Sequence, residues 1–144
     1  MTTKRRSSLT GSWSGAFRYP GDAFPETVFN AQIEEADGTF SGQTQQPNVT
    51  HPHLGPSVFN AEIQGVRTGF HLVFDKFYDA NVPEEYGAFT VHYEGEADER
   101  LSRVEGVWTN GWSGTFFMVR DDEAEANEAE ERAEISEGGR GQRT

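Results

Sequence analysis

The chain predicts an all-β domain: a closed eight-stranded antiparallel up-and-down barrel. Three observations lead there. Apolar and polar residues alternate with period two in short runs from residue 8 to residue 120. Gly, Pro, Asn and Asp clusters separate the runs, and no long segment shows helical spacing. The links between runs gather by length, mostly short at one end and long at the other, as in a meander whose sequence neighbours are spatial neighbours. A sheet of this strand number that closes removes its exposed edges, and its interior is either filled by side chains or holds one small ligand.

The first strand is read over residues 9–19, with Trp13, Gly15 and Phe17 on the inward face and Ser12, Ser14 and Arg18 on the other. The long link "PGDAFPE" leads to a second strand over 26–35, and the short "EEADGT" turns into a third over 39–46. The long "QPNVTHPHLGP" leads to a fourth over 58–65, and "GVRTG" turns into a fifth over 69–78. "DANVPEEY" leads to a sixth over 87–96, and "EADER" turns into a seventh over 102–109. The eighth covers 112–121 with Trp112, Gly114, Phe116, Met118 and Arg120 inward. Calling the start of the first strand the bottom, the long links lie at the top, where a barrel's mouth is expected.

Two internal likenesses stand out. "VFNAQI" at 28–33 returns as "VFNAEI" at 58–63, and Phe40 and Phe70 keep the same 30-residue offset. This is ordinary strand packing, so the two hairpins are expected to fill equivalent places in the sheet. Trp-Ser-Gly-x-Phe occurs in both the first and the last strand, where the glycines thin the wall beside large rings. The turn at Thr109–Asn110–Gly111 is read as a three-residue loop with Gly111 at positive φ. That reading pairs Trp108 with Trp112, Gly106 with Gly114 and Val104 with Phe116, and keeps one inner face.

Trp13 and Arg120 then both face inward at the bottom, where a guanidinium stacked on an indole would plug the floor. "TGSW" opening the first strand and an arginine ending the last resemble the signature of the calycin barrels. These are the lipocalins, the fatty-acid-binding proteins and the avidin–streptavidin group. The resemblance covers residues 8–121 in layout and implies a Trp13/Arg120 pair across the closed end. The short meander looks most like the avidin–streptavidin branch. That branch uses an Asn and a Ser after the first-strand Trp to help hold biotin. Here Gly15 and Phe17 point inward, Ser14 points outward, and the eighth strand has no matching inward aspartate. Biotin binding is not implied.

The length suits one domain. The organisation expected is a flexible N-terminus over 1–7, the barrel over 8–121 and an acidic tail over 122–144, disordered or frayed-helical. Residues 121–144 carry nine acids and three arginines, so about half of the formal net charge of −12 lies there. The acidic balance argues against nonspecific nucleic-acid binding. Cysteine is absent, which excludes disulfides and thiolate metal sites. No apolar run is long enough to cross a membrane as a helix, and the basic start has no hydrophobic segment after it. A soluble, cytoplasmic protein is expected.

Chemistry is sparse. The four histidines are His51, His53, His71 and His92. His51 and His53 sit in a long top loop and supply only two ligands, short of a metal site, while His71 and His92 face out. No catalytic residues, metal ligands or cofactor fingerprints are assigned. The inner face toward the mouth should hold Tyr19, Phe29, Thr44, Phe59, Phe74, Lys76, Tyr78, Phe89, Trp108 and Trp112. Of these, Tyr19, Thr44, Lys76, Tyr78, Trp108 and Trp112 are the candidate ligand-binding residues. Lys76 is a lone lysine among aromatics. Pointed inward, it would pair with an acidic or carbonyl group of a ligand. The favoured reading is that it snorkels to the rim.

The function that follows is binding of a small apolar, aromatic or amphipathic ligand at the long-loop end. Two alternatives stay open. One is a filled barrel that forms homo-oligomers through the outward residues Val73, Phe77, Phe117 and Val119. The other is an isomerase or cyclase on an apolar substrate, with Lys76, Tyr19 or Tyr78 handling protons.

Overall fold

Alternation along each strand builds the wall of the molecule. The computed structural model describes residues 7–49, 53, 56–79 and 90–121. Its strands are β1 (Gly11–Arg18), β2 (Thr27–Ala36), β3 (Thr39–Pro47), β4 (Val58–Thr68), β5 (His71–Tyr78), β6 (Val91–Ala97), β7 (Arg103–Thr109) and β8 (Ser113–Arg120). Each pairs antiparallel with the next, and β8 pairs with β1, closing an eight-stranded up-and-down barrel. Of the expected segments, residues 1–6 of the N-terminus and the acidic tail over 122–144 lie outside the described residues, as do His51 and Phe89.

The short turns fall at the bottom. Asp37 (φ 55°) and Gly38 (φ 84°) link β2 to β3, both in the left-handed region that tight hairpins use. Inward residues are buried as the alternation requires, among them Phe17, Ala31, Ile33, Phe40, Ile63, Leu72, Tyr93, Val104 and Met118. Most long polar side chains take the outer face, while Gln46, Lys76 and Arg120 are buried.

The 30-residue repeat holds for β2 and β4. Ala31 and Ala61 are buried, as are Ile33 and Ile63, while Val28 and Val58 are both exposed. It fails for Phe40 and Phe70. Phe40 is buried, whereas Phe70 sits in the β4–β5 turn, 46% exposed. The reason is length: β4 runs on to Thr68, so the turn comes two residues late and Leu72 takes the place that Phe40 has in β3. By the same shift Thr44 and Lys76 occupy equivalent positions of their strands.

The β7–β8 register differs from the expected one by two residues. Trp108 pairs with Gly114, Gly106 with Phe116 and Val104 with Met118. The loop is three residues long, but it is Asn110–Gly111–Trp112. Gly111 has φ 104°, and the Asn110 side chain accepts from the Trp112 amide at 3.1 Å. The Trp108 indole explains the shift. It lies over Gly114, where an added Cβ would come within 2.7 Å of two indole carbons. Opposite Trp112 there is no such slot. A shift of two keeps the paired side chains on their faces, so the inner face survives the change except at Trp112, which passes into the turn.

Candidate functional site

The interior divides into three levels. At the floor, Trp13 pairs with Arg120 across the β1–β8 seam, and the guanidinium carbon lies 4.6 Å from the indole centroid. The Arg120 fork donates to the backbone carbonyls of Ser8, Thr10 and Leu101, while Trp13 Nε1 donates to the Leu9 carbonyl at 2.9 Å. Leu9 is fully buried, so the segment before β1 folds under the barrel. A second pair holds that segment: Arg67 meets both carboxylate oxygens of Glu35 at 3.0 Å and donates to the Ser7 carbonyl.

At the β1 and β8 side of the top, aromatic rings fill the space. Tyr19 packs edge-on to Trp108 at 5.5 Å, to Phe24 at 5.2 Å and to Trp112 at 6.3 Å, and Phe24 stacks on Trp112 at 5.9 Å. Trp108 is buried, with its Nε1 donating to the Arg18 carbonyl at 3.1 Å. Trp112 is not inward as expected. Placed in the turn by the register shift, it is 49% exposed and covers the rim.

The third level lies midway along the axis. Lys76 is 4% exposed, so the snorkelling expectation is overturned. The reason is the wall around it. Lys76 Nζ donates to Gln46 Oε1 at 3.0 Å and lies 4.6 Å from the Phe17 ring centroid, 4.8 Å from that of Tyr78 and 5.5 Å from that of Tyr93. Hydrogen bonding and ring faces thus replace part of the ammonium's hydration. Tyr78 Oη also donates to Gln46 Oε1, at 3.4 Å. No ion pair reaches Lys76 among the described residues.

Below Lys76 is a cavity of about 20 Å³, bounded by Phe29, Ala31, Thr44, Ile63, Phe74, Lys76, Tyr93 and Met118. Thr44 is 5% exposed, and its hydroxyl has no hydrogen-bond partner among the described residues. The space therefore borders Thr44 on β3, on the wall opposite Trp108 on β7 in an eight-membered ring of strands. The six candidate residues separate accordingly. Thr44, Lys76 and Tyr78 gather around Gln46 and the cavity, while Tyr19, Trp108 and Trp112 join the aromatic cluster. Phe17 touches both groups, packing 5.7 Å from Tyr19 and 6.2 Å from Trp108.

Sequence reading missed Gln46, Tyr93 and Phe24. Gln46 and Tyr93 were within reach of it, because each continues the alternation that placed Thr44 and Phe89. Phe24 lies in a loop, where alternation says nothing.

The tyrosines are held neutral. Burial pushes Tyr19 up to about 12, helped by neighbouring Tyr78 and opposed by a hydrogen bond with Thr27. Burial likewise pushes Tyr78 up to about 12, against the Gln46 hydrogen bond. Burial raises Tyr93 too, against the charge of Lys76 and a hydrogen bond with it. Outside the barrel, His71 is raised by its hydrogen bond to Glu96, and His92 pairs with Asp75 at 2.8 Å. No group of three His, Cys, Asp or Glu arranged to hold a metal occurs among the described residues.

No protein-family model matches the chain, and no curated protein matches it. The closed eight-stranded antiparallel meander is consistent with a calycin-like barrel.

Proposed function

We propose that the protein is a small-molecule-binding barrel of avidin–streptavidin-like layout without the biotin-binding pattern. It takes an aromatic or amphipathic ligand that enters from the long-loop end. The observation that carries this reading is the cavity bordered by a buried ammonium and a buried hydroxyl that has no partner among the described residues. An interior built only for stability would favour apolar groups there, because unsatisfied buried polar groups cost about 1–3 kcal/mol each. Binding sites instead combine apolar walls with a few polar groups that orient the ligand.

The tyrosines are poorly suited to act as general bases. A general base works best with a pKa near the operating pH. Tyr19 and Tyr78, pushed to about 12, serve as hydrogen-bonding groups. Native mass spectrometry of the protein purified from its own host tests the reading. The expected result is a retained small molecule above the 16.1 kDa chain mass. A bare chain, together with no chemical-shift change at Phe29, Thr44 or Tyr93 across a panel of aromatic compounds, would overturn it.

A further inference from the structure

We propose that the cavity beneath Lys76 receives the carboxylate of a small monocarboxylic acid whose body is aromatic or apolar. This rests on the reading of the barrel as a ligand binder and names the class of ligand.

Charge is the first argument. Lys76 is 4% exposed, yet among the described residues its polar partners are neutral: Gln46 at 3.0 Å and Tyr93. Removing an ammonium from water costs several kcal/mol, and neutral hydrogen bonds with ring faces recover only part of it. An ammonium has three N–H donors. Among the described residues Gln46 and Tyr93 account for two, which leaves one that an acceptor on a ligand can take.

The second argument is Thr44. Thr44 lines the same cavity, and its buried hydroxyl has no partner among the described residues. A carboxylate has two oxygens and only accepts hydrogen bonds, so it suits an N–H and an O–H that converge on one space. Water could also bridge them, but water leaves the charge uncompensated.

Size and lining complete the assignment. A cavity needs roughly 10–15 Å³ of this measure to admit a water-sized group. At about 20 Å³ the space admits one small head group. The remaining walls, Phe29, Ala31, Ile63, Phe74 and Met118, are apolar, so the rest of the ligand is apolar too. Phe29 is only partly buried and lies toward the mouth on β2, which makes it the ring that must turn aside for the ligand's body.

The test titrates the full chain with 4-phenylbutyrate and with its neutral isostere 4-phenylbutanamide, by isothermal calorimetry. A carboxyl-labelled acid followed by carbon NMR reports the head group directly. The acid should bind at least tenfold more tightly than the amide. Lys76→Met should remove that preference, and Thr44→Val should reduce it with the barrel intact by near-ultraviolet circular dichroism. Should Lys76→Met not fold, Thr44→Val and the carboxyl shift still decide. Equal binding of acid and amide, or undiminished acid binding in both variants, overturns the carboxylate assignment and leaves the ligand-binding reading standing. If neither compound binds and no other aromatic probe does, both fall.

Discussion

Arg120 and Trp13 are cross-strand partners at the seam where the last strand meets the first, and the guanidinium carbon sits 4.6 Å from the indole centroid. The same guanidinium gathers carbonyls from the chain entering β1 (Ser8 and Thr10) and from the β6–β7 turn (Leu101). One side chain therefore ties three separate segments across the floor. Arg120→Ala would leave those carbonyls without these donors, at about 1–3 kcal/mol each, and lose a cation–π contact of about 0.5–2 kcal/mol. Some relaxation and water entry will recover part of this. The expected loss is about 3–5 kcal/mol, seen as a lower urea midpoint by tryptophan emission. An unchanged midpoint would mean that the floor closes without the guanidinium.

Glycine matters in the Trp-Ser-Gly repeat for space, and in the preceding turn for conformation. A Cβ at Gly114 would strike the Arg18 carbonyl and crowd the Trp108 indole. At Gly111 nothing lies within 4 Å, but φ is 104°. Gly111→Ala should therefore cost only about 1 kcal/mol, the backbone preference alone. Gly114→Ala must push apart β1 and β8 or displace the indole, and overpacking of this kind costs about 1–3 kcal/mol or more. Unfolding of the two variants side by side checks the ordering. The near-ultraviolet signal of Trp108 should change only in Gly114→Ala.

Most of the fold was legible because the side-chain period of a strand is two. Once Trp13 and Phe17 face in, parity carries the assignment round the barrel. Parity cannot detect a slip of two residues, which is why the β7–β8 pairing came out with the right face and the wrong partner. What settles it is a shape match, the Trp108 indole over Gly114, and alternation contains no such information. The Phe40/Phe70 repeat misled for the same reason, since β4 extends past the point where β2 turns. Lys76 was placed on the inner face by parity. Its depth depended on Gln46 reaching across from β3, a pairing between residues 30 apart.

The neutral tyrosines predict alkaline behaviour. Burial raises Tyr19 and Tyr78 from 10.0 to about 12, so the fold prefers the protonated phenol. Below pH 10 both folded and unfolded chains hold these protons, and the preference is fully present. Between about pH 10 and 12 the unfolded chain releases protons that the fold retains, so stability falls as pH rises. Phenolate absorbance should therefore show a late group of titrating tyrosines, with unfolding midpoints dropping over the same interval. Tyrosines that all titrate near 10 in the folded protein would show that water reaches the Lys76–Gln46 level.

The last prediction concerns what Lys76 does to the empty barrel. A buried cation whose partners among the described residues are neutral is a weak contributor to stability, and apolar replacements of similar shape are often neutral or stabilising by about 1–4 kcal/mol. Methionine matches the lysine stem and would meet Phe17, Tyr78 and Tyr93, the rings now facing the ammonium. One cost opposes this: Gln46 Oε1 loses its 3.0 Å donor and keeps only the longer bond from Tyr78 at 3.4 Å. That loss is worth about 1–3 kcal/mol. The double variant Lys76→Met/Gln46→Leu removes both sides of the bond. It should unfold at a higher urea concentration than the natural chain, and Lys76→Met alone should lie near or between the two. A residue kept for stability would show the reverse order, with the double variant the weakest. The expected order would mean that the barrel holds a charge its own packing does not need, as a site awaiting an anion does.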